Sequence, residues 1–306
     1  MTASPPLFHG VLCIDKPQDF TSFDVVAKLR GITRTRKIGH TGTLDPMATG
    51  VLPVLLGNAT KACDLLPSQD KCYRLSFQLG VTTDTQDIWG TVRAKDDTPV
   101  SMSQLEAVLP KFRGEIMQLP PMYSALSVNG QRLYDLARKG IEVEREPRPV
   151  TIYRLDLLSY DPDTRTGKAE VACSKGTYIR TLCHDLGEAL GTGGIMTALR
   201  RTEAAGFTLD DCLTLDEVSR LMEEGRLAEA LRPVERIFAP LPAIRLNPVQ
   251  TRMFLNGVRL DLNRIAGQHP AGRCRVLDAG GAFLGLGDCD PNARELRVKK
   301  FFLERS

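Results

Sequence analysis

The sequence predicts an α+β protein: a larger body of antiparallel strands and amphipathic helices, followed by a small β-rich C-terminal domain. Three observations carry that expectation. Tyr73 to Leu79 alternates apolar and polar residues, as a half-buried antiparallel strand does, and Val150–Ser159 with Gly167–Cys173 read as a second, hairpin-like pair. Ile179, Leu182, Cys183, Leu186 and Leu190 repeat at helical spacing and stop at Gly191. Beyond four prolines at 233, 240, 242 and 248, which read as a linker or domain boundary, short alternating segments such as Leu296-Arg297-Val298-Lys299 sit among glycine turns.

The elements follow in order. Val11-Leu12-Cys13-Ile14 reads as a short buried strand. After Lys16-Pro17, Thr21 and Asp24 form a capping-box variant, and Val25, Val26 and Leu29 give a helical face that Gly31 ends. A basic stretch, Arg34 to Lys37, leads into Gly39-His40-Thr41-Gly42-Thr43-Leu44-Asp45-Pro46-Met47-Ala48-Thr49-Gly50. Here one carboxylate, Asp45, stands in a glycine- and threonine-rich loop, biased toward extended backbone by Pro46. The glycines permit tight turns and close backbone approach to a ligand. Val51 to Leu56 is an apolar run broken by Pro53. On its strand face Tyr73 reads as core, with Leu75, Phe77 and Leu79.

Residues 123–149 have the composition of an exposed excursion: a turn at Asn129-Gly130, a short helix over Leu133–Arg138 closed by Gly140, then a mixed-charge tail with Pro147 and Pro149. Arg180 falls in the first turn of its helix, where a cation opposes the helix dipole, so the pattern demands a compensating partner, a carboxylate above all. Leu213 to Val218 starts a further helix.

At 306 residues with 42% hydrophobic and 25% charged residues, the chain reads as an ordinary soluble globular protein. No apolar run is long enough to span a bilayer, and Met1 to Gly10 has no secretory pattern. The cysteines at 13, 63, 72, 173, 183, 212, 274 and 289 are scattered singly, without Cys-x-x-Cys spacing, and read as small buried residues in a reducing cytoplasm. Cys183-His184 stands alone, so no metal site is expected. The net charge of +3 is unevenly spread: Pro240 to Ser306 holds eleven Lys and Arg against six Asp and Glu, or +5, leaving about −2 for the rest. A basic C-terminal segment on a near-neutral body fits a nucleic-acid contact and equally a solvated face.

Six separated segments then coincide with one family, in the family's order: Asp15-Lys16-Pro17, Gly39 to Leu52, Lys71-Cys72-Tyr73, Pro121-Met122-Tyr123-Ser124-Ala125-Leu126, Lys175-Gly176-Thr177-Tyr178-Ile179-Arg180, and Leu199-Arg200-Arg201-Thr202. The chain resembles the TruB-type tRNA pseudouridine(55) synthases over residues 10–205. The resemblance implies the pseudouridine synthase fold, a mixed, largely antiparallel central sheet flanked by helices, with a catalytic domain at 8–237, an RNA-binding insert at about 123–149 and a PUA-like RNA-binding domain at 241–304. It implies isomerisation of uridine to pseudouridine in the T-loop of tRNA by base flipping, without cofactor or metal. It also implies a cytoplasmic monomer with tRNA as partner and no membrane, protein or guide-RNA requirement.

Residue by residue, Asp45 matches the family's essential aspartate, Arg180 the arginine that pairs with it, and Tyr73 the aromatic that stacks on the target base. Lys16, Tyr178 and Leu199 match positions around the pocket, and His40 the residue that fills the space left by the extruded nucleotide. Arg294, Arg297, Lys299 and Lys300 are candidates for phosphate contacts. Whether the carboxylate attacks the sugar or abstracts a proton stays open. The chain departs from the family at Asp19, where glycine is usual, and at Ser127, where lysine is common. Two other readings stay beside this one: a tRNA-binding and folding protein, and a guide-RNA-dependent synthase of the dyskerin type.

Overall fold

The computed structural model describes residues 8–128 and 130–302. Asn129, the first residue of the expected turn, lies outside the described residues, as do residues 1–7 and 303–304 at the edges of the readings above.

The chain opens with β1 (Gly10–Lys16), α1 (Ser22–Thr33), β2 (Ile38–His40), β3 (Thr49–Leu56) and β4 (Lys71–Leu79), then the hairpin of β5 (Val81–Thr83) and β6 (Val92–Lys95). Next come α2 (Met102–Val108), β7 (Gly114–Gln118), the two-residue strands β8 (Ser127–Val128) and β9 (Gln131–Arg132), and α3 (Leu133–Arg138). β10 (Arg148–Asp161), β11 (Thr166–Cys173), α4 (Ile179–Ala189), β12 (Gly194–Ala204) and β13 (Phe207–Thr208) follow. Last are α5 (Leu215–Glu223), α6 (Leu227–Ala230), β14 (Ala243–Arg245), α7 (Pro248–Leu255), β15 (Leu260–Asp261), β16 (Gly272–Leu277), β17 (Phe283–Asp290) and β18 (Glu295–Phe301).

Two compact units result, one of Pro46–Gly50 and Gln69–Ala204, the other of Met1–Asp45, Val51–Ser68 and Ala205–Ser306. In the first, β12, β4, β11, β10 and β7 form an antiparallel array in that order. Thr49 and Gly50 of β3 run parallel to Arg200 and Arg201 of β12, which makes the sheet mixed. The alternation of β4 is realised: Tyr73, Leu75, Phe77 and Leu79 are buried. α4 lays Leu182 and Leu186 over Leu75 and Phe77, enclosing an apolar space with Leu109 and Leu155. The excursion at 123–149 keeps its short hairpin, with Ser127 opposite Arg132 and Gly130 at φ +78°, and its helix α3 buries Leu133 and Leu136.

In the second unit, β1, α1, β2, the apolar part of β3 and α5 build one core from Leu12, Ile14, Val25, Leu29, Leu52, Val54 and Val218. β14, β16, β17, β18 and β15, in that order, form a five-stranded sheet over Ile244, Phe254, Val276 and Leu296. This is the expected small β-rich C-terminal domain, consistent with a PUA-like fold.

Two local readings change. Gly31 does not end α1; the helix runs on to Thr33, whose hydroxyl bonds the Leu29 carbonyl at 2.8 Å, and Arg34 takes the left-handed cap position at φ +53°. A glycine in a helix costs only about 1 kcal/mol, which the buried face of α1 outweighs. Pro53 does not break its strand: β3 passes through it, and the Pro53 carbonyl still accepts Thr41 N at 3.1 Å. The proline-rich stretch carries Phe238, which is fully buried and packs on Phe283 and Phe302.

Candidate active site

The loop that carries Asp45 is held by groups from the start of the chain. β1 ends at Lys16, whose side chain is wholly buried. Its ammonium donates to the carbonyls of Pro17 at 2.8 Å and Phe20 at 2.5 Å, closing the loop between them. Within that loop Asp19 sits at φ +68°, so the departure from glycine leaves a left-handed residue in place, as a short polar side chain allows. Thr21 then caps α1: its hydroxyl accepts Asp24 N at 3.0 Å, while the Asp24 carboxylate accepts Thr21 N at 2.8 Å.

This cap fixes the next residue, Ser22, which is buried and turns its hydroxyl to Leu44. Ser22 Oγ accepts Leu44 N at 2.8 Å and donates to Leu44 O at 3.3 Å. Leu44 is therefore gripped at both backbone polar groups one residue before Asp45, which stands half-buried outside any helix or strand. Upstream, His40 closes β2 opposite Val54 and is also half-buried. Downstream, the conformational freedom of Gly50 serves packing rather than ligand approach. At φ +99°, any Cβ there would lie 2.1 Å from the Arg201 carbonyl oxygen.

The other expected residues lie on the α4 side of the larger sheet. Tyr73 is buried, facing the same way as Leu75, and Leu199 pairs directly across from Leu75 on β12. Lys71, two residues before Tyr73, has its ammonium pushed below the ordinary lysine range by burial and by the neighbouring Arg201 charge. Tyr178 is the N-cap residue of α4, and its side chain makes no capping bond. Buried Gln118 grips its backbone instead: the side-chain oxygen accepts Tyr178 N at 3.0 Å and the amide donates to Tyr178 O at 3.2 Å.

Two residues into the helix, Arg180 is 5% exposed. Its guanidinium donates to Thr85 O at 3.0 Å and Tyr123 O at 2.7 Å, and lies 3.8 Å from the Asp87 carboxylate. Here is a carboxylate of the kind that the cation's awkward position demands. Asp87 is itself buried, and its second oxygen accepts the Thr85 hydroxyl at 2.7 Å and Trp89 N at 3.0 Å.

One unit thus holds Tyr73, Tyr178, Arg180 and Leu199, and the other holds Lys16, His40 and Asp45. The sequence reading missed Asp87, Ser22 and Gln118. The run Thr83-Asp84-Thr85-Gln86-Asp87 carries two aspartates among turn-forming residues, a pattern that ordinarily means backbone bonding within a turn. Ser22 and Gln118 bear no charge, and nothing in their local sequence distinguishes them.

Solved proteins share this architecture. A chain in a Cbf5-Nop10-Gar1 complex is 27% identical, with a TM-score of 0.75 over 96% of this chain and 85% of that one. A chain in an H/ACA RNP bound to a substrate RNA containing 2′-deoxyuridine is 25% identical at a TM-score of 0.74, over 97% and 86%. The fold is that of the pseudouridine synthases. Three family models match in succession: TruB family pseudouridylate synthase, N-terminal domain, at residues 30–179; tRNA pseudouridylate synthase B C-terminal domain at 180–239; and pseudouridine synthase II TruB, C-terminal, at 242–299. The tRNA pseudouridine synthase B of Stutzerimonas stutzeri is 45% identical over 93% of both chains, and that of Clostridium tetani 41% over 91% of this chain and 95% of its own. The chain belongs to the TruB family of pseudouridylate synthases and is an isomerase.

Proposed function

We propose that this enzyme acts on tRNA, converting uridine 55 of the T-loop to pseudouridine, with Asp45 as the acting carboxylate. The observation that carries the assignment to Asp45 is its presentation: a half-buried carboxylate directly after a residue whose backbone N–H and C=O are both held by Ser22. That restraint supplies the positioning that catalysis at a sugar or base carbon needs.

In the reaction the N1–C1′ bond breaks, the freed uracil turns, C5 bonds to C1′, and the C5 proton is replaced by one on N1. Atoms and electrons balance within the nucleotide. Asp45 serves either as nucleophile toward the nucleotide or as the base that starts bond cleavage. Arg180 is its counter-ion: a guanidinium has five N–H donors, enough to serve Asp87, two carbonyls and a further carboxylate. Tyr73 stacks on the flipped uracil and assists loss of the C5 proton. Tyr178 and Leu199 line the pocket and Lys16 holds the loop beside it. His40 occupies the gap left by the extruded nucleotide, offsetting part of the lost stacking. The insert at about 123–149 and residues 241–304 hold the RNA arm. The protein works as a cytoplasmic monomer, without guide RNA or cofactor.

The test uses pure protein and an unmodified T-arm hairpin. Wild type forms pseudouridine at the target position, and Asp45→Asn lowers the rate by at least about 10²- to 10⁴-fold while hairpin binding persists. Retained turnover in that variant would sink the assignment of Asp45. A wild-type enzyme inert on the hairpin would instead favour the guide-dependent reading.

A further inference from the structure

The loop from Asp84 to Thr91, between β5 and β6, and the first residue of β6 carry three exposed apolar residues within five positions: Ile88, Trp89 and Val92. Trp89 is the only tryptophan of the chain and is half exposed. Single exposed apolar residues are ordinary, but this group sits on a backbone held at nearly every step. Asp84 N donates to Thr91 O at 3.2 Å, and the Asp84 carboxylate accepts Thr91 N at 2.8 Å. Thr83 Oγ donates to Asp87 O at 2.7 Å, Gly90 N to the same carbonyl at 3.2 Å, and Ile88 N to Met196 O at 2.9 Å. A loop this restrained has lost its conformational entropy already, so its apolar side chains lie ready for a partner.

Asp87 ties the loop to the site. One of its oxygens holds the Trp89 N–H and the other faces Arg180, so a single carboxylate positions both the guanidinium and the tryptophan backbone. Two residues of chain span at most about 7 Å, which keeps the Trp89 backbone close to the Asp87 carboxylate that faces Arg180. On the adjoining strand β6, exposed Arg93 and Lys95 alternate with Val92 and Ala94 and so lie on the opposite face of the strand.

We propose that Trp89 is a stacking platform for an unpaired nucleobase of the substrate RNA next to the target uridine, with Ile88 and Val92 extending the apolar surface. Flipping a uridine leaves its neighbours with exposed faces, and an indole is a strong, sequence-tolerant cover for one of them. The assignment rests on the reading of the chain as an isomerase of uridine in RNA.

The lone tryptophan is its own reporter. Full-length Asp45→Asn protein, which binds without turning over, is titrated with the unmodified T-arm hairpin while tryptophan fluorescence is followed. Fluorescence is quenched and saturates at the concentration at which filter binding saturates. A fully paired RNA stem of equal length leaves it unchanged. In the otherwise wild-type enzyme, Trp89→Ala raises KM by roughly 5- to 100-fold, the effect falling on KM rather than kcat, and Trp89→Phe recovers most of it. No quenching at saturation, equal quenching by the paired stem, or an unchanged KM in Trp89→Ala would overturn the platform. Absence of wild-type turnover on the hairpin would overturn the stand-alone T-loop reading instead, so the two failures are told apart.

Discussion

The two groups of site residues are restrained by different physics. Around Asp45 the holding groups act on backbone: Ser22 grips Leu44, Lys16 closes the Pro17–Phe20 loop, and Thr41 bonds Pro53. These bonds fix the conformation of the chain that bears the carboxylate. Around Arg180 a similar device exists in Gln118 on Tyr178, but the charged head is also held, by the Asp87 carboxylate and two carbonyls. A buried cation cannot be left to its backbone, since removing its counter-charge strands a desolvated ion.

That contrast orders the expected effects. Asp87→Ala should be the most damaging change, costing about 3–5 kcal/mol in urea denaturation and abolishing most turnover, because Arg180 is left buried without this carboxylate. A loss under about 1 kcal/mol would show that the pair behaves like a surface ion pair, and the contrast would fail. Ser22→Ala should cost about 1–3 kcal/mol, the range for leaving buried backbone polar groups unsatisfied. Its mark should be a fall in kcat larger than any change in KM, since Asp45 would lose position rather than contact with RNA. Equal effects on both would mean that Ser22 only supports the fold.

The smallest effect should come from an exposed helix cap. Thr214→Ala removes the cap of α5 and should cost about 1 kcal/mol with turnover unchanged. The same cap predicts a pH signature. The backbone N–H and then the hydroxyl of Thr214 hold Glu217 below its ordinary 4.5, so this contribution is present above that value and fades as pH falls through the lower folded-state value. Thermal melts of Glu217→Gln and wild type should converge in acid and separate toward neutrality.

Much of the fold was legible because it rests on local pattern. The period-two run of β4, the apolar stripe of α4 and the Thr21–Asp24 box each specify one element over a short window. What escaped depends on residues far apart in the chain. The clash that reserves position 50 for glycine comes from Arg201, and the burial of Phe238 comes from Phe283 and Phe302. Arg180 announced by its helix position that it needed a carboxylate, but not that Asp87, 93 residues earlier, would stand beside it. Asp45, His40 and Tyr73 were readable only as members of a family pattern, since taken singly each resembles ordinary loop or core.

The enclosed ammonium of Lys16 has a consequence of its own. With no solvent-exposed surface and two carbonyls closed around it, it is chemically silent toward amine-directed acylating reagents while the Pro17–Phe20 loop holds. It becomes reactive only in molecules whose loop has come undone, so the acylation rate of this one lysine is a clock for the opening of the chain that leads toward Asp45.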